Sequence, residues 1–179
     1  MKSMRDIMRY LPDNGEIRQL FRNFNISPII EGKARSVKEF AERLGFEVDQ
    51  VDLPKGMTGR LVKDAFARAG YRIEVNRNHS VEARRFAVLH EIGHFFRHAD
   101  HEDPFAFDMH FDASGNWLYF DEDRIKEREA NEFAETLLFG DGALQAAYSL
   151  HFGNIERVRR HFGVSDNVLR IALKRFNIR

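Results

Sequence analysis

The stretch LHEIGHFFRH, residues 89–98, carries a His-Glu-x-x-His pattern at His90, Glu91 and His94, set among phenylalanines and followed by His98. Upstream, Ser80 stands where a helix cap belongs, and Phe86, Ala87, Leu89, Gly93 and Phe96 recur with a packing period. The pattern predicts a helix from Val81 to about His98. Residues four apart lie one above the other on a helix, so His90 and His94 direct both imidazoles at one point. Zinc accepts neutral imidazole nitrogen, and a catalytic zinc takes three protein ligands and a water. Glu91 lies about 100° around the helix from His90, displaced from such an ion but within reach of its water, the position of a general base. The same five residues also describe an amphipathic helix with histidines on its wet side. A third ligand has to decide between the two readings.

Spacing tests three sources for that ligand. His98 lies about 12 Å along the axis from His90, too far to share one ion. A ligand at Asp100 needs the chain to turn back through a glycine at 97, where Arg97 stands instead. The third source is a second helix, predicted from Asp121–Asp123 to Gly140 by Ile125, Ala130, Phe133, Ala134, Leu137 and Leu138. Within it Glu127 and Asn131 share a face, so a carboxylate there can bind metal while the amide one turn on supports a ligating histidine. Glu129 points roughly 200° away from Glu127, so only one of the two faces the metal, and spacing leaves both open. Glu132 and Glu135 read as a solvated acidic face.

Around these helices the chain alternates short signals. Met4–Tyr10 and Glu16–Phe24 are helical, and Ser36 with Glu39 forms a capping-box register before Val37, Phe40, Ala41 and Leu44, with Gly45 as the stop. FEVDQVDLPKGMTGR has strand character at its start, and GRLVKDAFARAGYRIEVN reads as two short strands, because Tyr71, Ile73 and Val75 alternate with polar residues. Asp100–Phe120 reads as a long connection with a strand or hairpin, and two helices, Asn154–His161 and Asp166–Phe176, close the chain. A few strands among many helices indicate a compact α+β domain with a small mixed β-sheet. Its expected parts are an N-terminal helical extension, 1–35, a core, 36–150, and a C-terminal helical pair, 151–179, closing the same domain. The strand Tyr71–Asn76 is the expected edge to hold a substrate backbone in extended form.

Composition narrows the chemistry. A chain of 179 residues suits one domain, and 17 phenylalanines predict an aromatic interior. No cysteine is present, which excludes disulfides, thiolate zinc sites, Fe–S clusters and a Cys nucleophile, and leaves His, Asp and Glu as metal ligands. The first twenty residues lack an apolar core and no later run approaches a membrane span, so a soluble, cytoplasmic protein with no membrane partner is expected. The formal net charge of zero hides a division: Asp100–Thr136 carries twelve acidic and three basic residues, and Asn154–Arg179 two acidic and seven basic. The acidic block argues against nucleic acid on that face. The tail VRRHFGVSDNVLRIALKRF has helix-turn-helix rhythm and keeps direct DNA binding through 154–179 as a rival reading, although Val168, Leu169, Ile171, Ala172 and Leu173 suit core packing. Among the remaining histidines, His79, His101, His110, His151 and His161 show no ligand spacing, and His110 or Tyr119 is the candidate to stabilise an oxyanion.

The two motif segments, NRNHSVEARRFAVLHEIGHFFRH and EREANEFAETLL, resemble the ImmA/IrrE group of bacterial and phage metallopeptidases, as do the flanking LPKGMTGRLV and HFGVSDNVLRIALKRFNI. The similarity runs from about Ser36 to the C-terminus. Where many relatives continue Leu-Leu-Met-Pro this chain has LLFGDG, and no separate N-terminal helix-turn-helix domain is found. The resemblance implies a zincin-like fold, Zn2+ held by His90, His94 and Glu127, and Glu91 as catalytic base of a zinc-dependent endopeptidase. It also implies a protein substrate, a helix-turn-helix transcriptional repressor, and a role as antirepressor in stress or mobile-element regulation. A metal-binding regulator that sequesters such a repressor without cutting it is the alternative.

Overall fold

The computed structural model describes residues 2–98 and 121–178, and the side chains of all of these except 121–123. Its elements are α1 (Met4–Met8), α2 (Gly15–Ile26), β1 (Ile29–Ile30), β2 (Lys33–Ala34), α3 (Val37–Leu44), β3 (Glu47–Val51), β4 (Gly59–Lys63), β5 (Tyr71–Asn76), α4 (Val81–His98), α5 (Asp121–Phe139), α6 (Ala143–Leu150), α7 (Ile155–Phe162) and α8 (Asp166–Arg175). This is a compact α+β arrangement, as the mixture of periods predicts. Local signals act where they were read: Ser36 Oγ accepts from Glu39 N–H at 3.1 Å, Ser80 Oγ accepts from Ala83 N–H at 3.2 Å, and Gly45 ends α3 at φ 103°. The β1–β2 hairpin and α6 were not anticipated. Two-residue strands are too short to show alternation, and α6 starts at Gly142 with no side-chain cap to announce it.

The three-stranded sheet has the order β3-β5-β4, with β5 parallel to β3 and antiparallel to β4. This corrects the expectation for Tyr71–Asn76. As the central strand, β5 spends both of its backbone edges on neighbours and has none left for a substrate. Alternation along a strand reports which face is buried and is silent on which edges are paired. Inside the sheet the buried Glu74 is held by Arg60 at 2.7 Å, a side-by-side pair across β5 and β4.

Helix α4 packs on one side against β4 and β5 and on the other against α5. The phenylalanines build the interior: Phe21 of α2 meets Phe40, Phe96 and Phe133 edge-on, at ring separations of 5.1, 5.5 and 6.0 Å. Buried polar groups are placed where helix ends leave backbone acceptors unsatisfied. Asn25 donates from Nδ2 to the carbonyls of Leu137 and Gly140 at the end of α5, and Arg85 donates from α4 to Gly163 and Phe162 at the end of α7 and to Arg35. Asn76, at the end of β5, donates to Leu53 and Met57 and so shapes the loop that leads into β4. Val158, Phe162, Leu169 and Ala172 of α7 and α8 are buried in the same hydrophobic cluster as Ile7, Phe21 and Phe24 near the N-terminus.

Candidate metal centre

Where α4 crosses α5, the backbones come so close that a Cβ on Gly93 would lie 3.0 Å from the Ala130 carbonyl oxygen and 3.2 Å from the Ala130 Cα. A glycine in the middle of the His-Glu-x-x-His run therefore lets α5 approach the face that bears the histidines. At that crossing His90 Nε2 and His94 Nε2 stand 2.9 Å apart, and the Glu127 carboxylate closes the triangle, with Oε1 3.0 Å from His94 Nε2 and Oε2 3.2 Å from His90 Nε2. A tetrahedral zinc with ligands at 2.0–2.2 Å separates its ligand atoms by roughly 3.3 Å. The donor set and its spacing fit such an ion, and among the described residues His90, His94 and Glu127 are the one group of three that could hold a metal. Asn131 Oδ1 lies 3.0 Å from His90 Nδ1 and accepts that nitrogen's proton, which leaves the Nε2 lone pair turned to the centre.

The carboxylate two residues on is otherwise engaged. Glu129 takes Arg97 at 2.8 Å and lies 3.2 Å from His98 Nε2, and Arg97 also stacks over the Tyr10 ring. Glu127 thus faces His90 and His94, and Glu129 does not. Burial first, then the charges of His94, Arg97 and Lys126, push the His98 imidazole down to about 4. At neutral pH it is uncharged, and its approach to Glu129 is a polar contact and no ion pair. Glu135 departs from the solvated face expected of it: it is buried and paired with Arg175 of α8. The partner comes from forty residues away in sequence, which no local reading of α5 can see. Asp100, His101, His110 and Tyr119 lie outside the described residues.

Glu91 is buried, with its carboxyl against the first residue of β4. A Cβ on Gly59 would lie 3.3 Å from Glu91 Oε1. Burial raises the Glu91 pKa, the two histidines pull it back, Glu127 raises it again, and the net position is above the ordinary carboxylate value. His90 is lowered by burial, but its hydrogen bond to Glu127 and the charges of Glu91 and Glu127 outweigh this and raise it. For Glu127 burial acts upward, while the hydrogen bonds and charges of His90 and His94 carry it well below the usual range. A carboxylate kept ionised beside two imidazoles is the charge state that a dication needs. Gly93, read from the sequence as a packing position, and Gly59, which no motif marked, have no side chain, and each shapes the centre by leaving room.

The basic C-terminal helices spend much of their charge internally. Arg159 pairs with Glu156 and Glu82, Arg160 with Glu156, Arg170 with Asp166 and Arg175 with Glu135. Among the described residues no helix is long and apolar enough to cross a membrane. The model of the IrrE N-terminal-like domain, a peptidase family, matches residues 41–174, which include α4, α5 and every side chain of the centre. No curated protein shows significant similarity to the chain.

Proposed function

The chain belongs to the ImmA/IrrE family of peptidases, and we propose from this premise that it is a zinc-dependent endopeptidase with His90, His94 and Glu127 as ligands and Glu91 as general base. The observation that carries the reading is the convergence of two Nε2 atoms and one ionised carboxylate within 3.2 Å of one another, with the buried Glu91 carboxyl near enough to feel the charges of all three. When bound there, zinc supplies Lewis acidity, polarising the scissile carbonyl and lowering the pKa of water toward about 7. Glu91 takes the proton from the attacking water and returns it to the leaving amine nitrogen. Asn131 fixes the His90 tautomer. The outer edge of β4, which begins at Gly59 beside Glu91, supports an extended substrate backbone in the place first expected of β5.

The proposed substrate is a helix-turn-helix repressor, on the strength of the motif resemblance. The test is to incubate the zinc-loaded full chain with a repressor encoded beside it and to read fragments by mass spectrometry. Cleavage at one site that disappears with Glu91→Gln is the expected result. Intact repressor held in a stable complex would make the protein a sequestering regulator instead.

A further inference from the structure

Beside the metal centre α5 and α8 flank an open groove of about 460 Å3 that shares Glu127 and Asn131 with the centre. Its other walls are Arg124 and Arg128 on α5 and Ile171 and Arg175 on α8. Arg124 and Arg128 are four apart and share a face, Arg124 lies one turn before Glu127, and both are exposed. Among the described residues no hydrogen bond or ion pair engages either guanidinium. The groove's own negative charge is largely spent: Glu127 is held by His90 and His94, and Glu135 by Arg175. Glu132 lines the groove as well and is itself engaged in an interaction. Ile171, half exposed, adds an apolar surface beside them.

We propose that this groove is a substrate subsite selective for an acidic side chain, aspartate or glutamate, close to the scissile bond, with Arg124 and Arg128 as the specificity-determining residues. A glutamate fits the lining in both its parts. The methylene stem lies on Ile171 while the carboxylate meets guanidinium groups that present paired N–H donors in the geometry a carboxylate accepts. The lining balances three arginines against three glutamates, but Arg124 and Arg128 are the two whose guanidinium groups are left to meet a carboxylate. The inference rests on the proposed peptidase activity for its substrate, while the recognition itself rests on the groove.

A library of end-blocked peptides with randomised positions tests it in two arms, cleavage by the zinc-loaded full chain and capture by the zinc-loaded Glu91→Gln chain. Each arm is repeated with the double charge reversal Arg124→Glu/Arg128→Glu and with Arg124→Lys/Arg128→Lys. Zinc content is measured for every variant to show that the centre is intact. The expected result is enrichment of Asp or Glu at one position within three residues of the cut. The charge reversal should lower kcat/KM for acidic peptides by about tenfold and favour Lys or Arg at that position, and the lysine variant should restore most of the acidic preference. Cleavage without acidic preference, or with a preference that charge reversal leaves unmoved, overturns the subsite and leaves the peptidase reading standing. Absence of cleavage together with arginine-dependent capture of acidic peptides overturns the peptidase reading and leaves the subsite. Neither cleavage nor acidic capture overturns both.

Discussion

The molecule contains two histidine pairs of nearly the same local geometry. His90 and His94 bring ring nitrogens to 2.9 Å with rings at 79°; His151 and His161 bring theirs to 3.0 Å with rings at 76°. The first pair has Glu127 across from it, Asn131 behind one ring and Glu91 beside it. The second joins His151, which ends α6, to His161 in the last turn of α7, and among the described residues no carboxylate joins it into a group of three. The electrostatics diverge accordingly. His90 is raised because a carboxylate hydrogen-bonds to it, and His161 is lowered by burial and then by the neighbouring His151. Two imidazoles in contact are therefore not yet a metal site; a third, anionic ligand converts the pair into one.

The largest effect comes from the carboxyl that the second pair lacks. Glu91→Gln lowers peptide hydrolysis by about 10²- to 10⁴-fold while zinc stays at one ion per chain, and an active Glu91→Gln protein would remove the mechanism. Next, Glu127→Ala makes the first pair resemble the second and weakens zinc binding by roughly 100-fold, read by competition with a chelator. His151→Ala leaves that affinity unchanged, and zinc retention by the Glu127 variant would refute the ligand assignment. Asn131→Ala, which frees the His90 tautomer, weakens zinc by about tenfold. Gly93→Ala pushes against Ala130 and costs about 1–3 kcal/mol in denaturant unfolding. The smallest effect concerns the second pair. His161 binds protons less readily folded than unfolded, so its contribution to stability is complete above the ordinary histidine value of about 6.5 and declines as pH falls below it. His161→Gln should flatten that acid-side loss in a melting series from pH 7.5 to 5.

Much of the centre is legible along the chain. The helical period of Val81–His98 and the four-residue step from His90 to His94 are properties of a single helix, and the two motif segments together indicate the family. Glu127 against Glu129 is a different matter. Both lie on α5, and choosing between them needs the face of α5 that meets α4, which is set by Gly93 fitting against Ala130. The central place of β5 was hidden for a similar reason, since edge pairing belongs to the sheet and not to the strand. Glu135 misled because its partner, Arg175, stands on another helix.

By itself the sequence determined which residues share a helical face: two histidines aimed at one point, a glutamate a quarter-turn aside, and a carboxylate with an amide four residues on. These relations follow from the 3.6-residue turn, which binds neighbours wherever the helix lies. Only the tertiary structure decided which carboxylate completes the triangle and, among the described residues, which strand beside Glu91 stands at the edge of the sheet and that the other histidine pair is left without a carboxylate. Those relations join elements far apart in the chain, and close packing between helices and strands, not local periodicity, sets their distances.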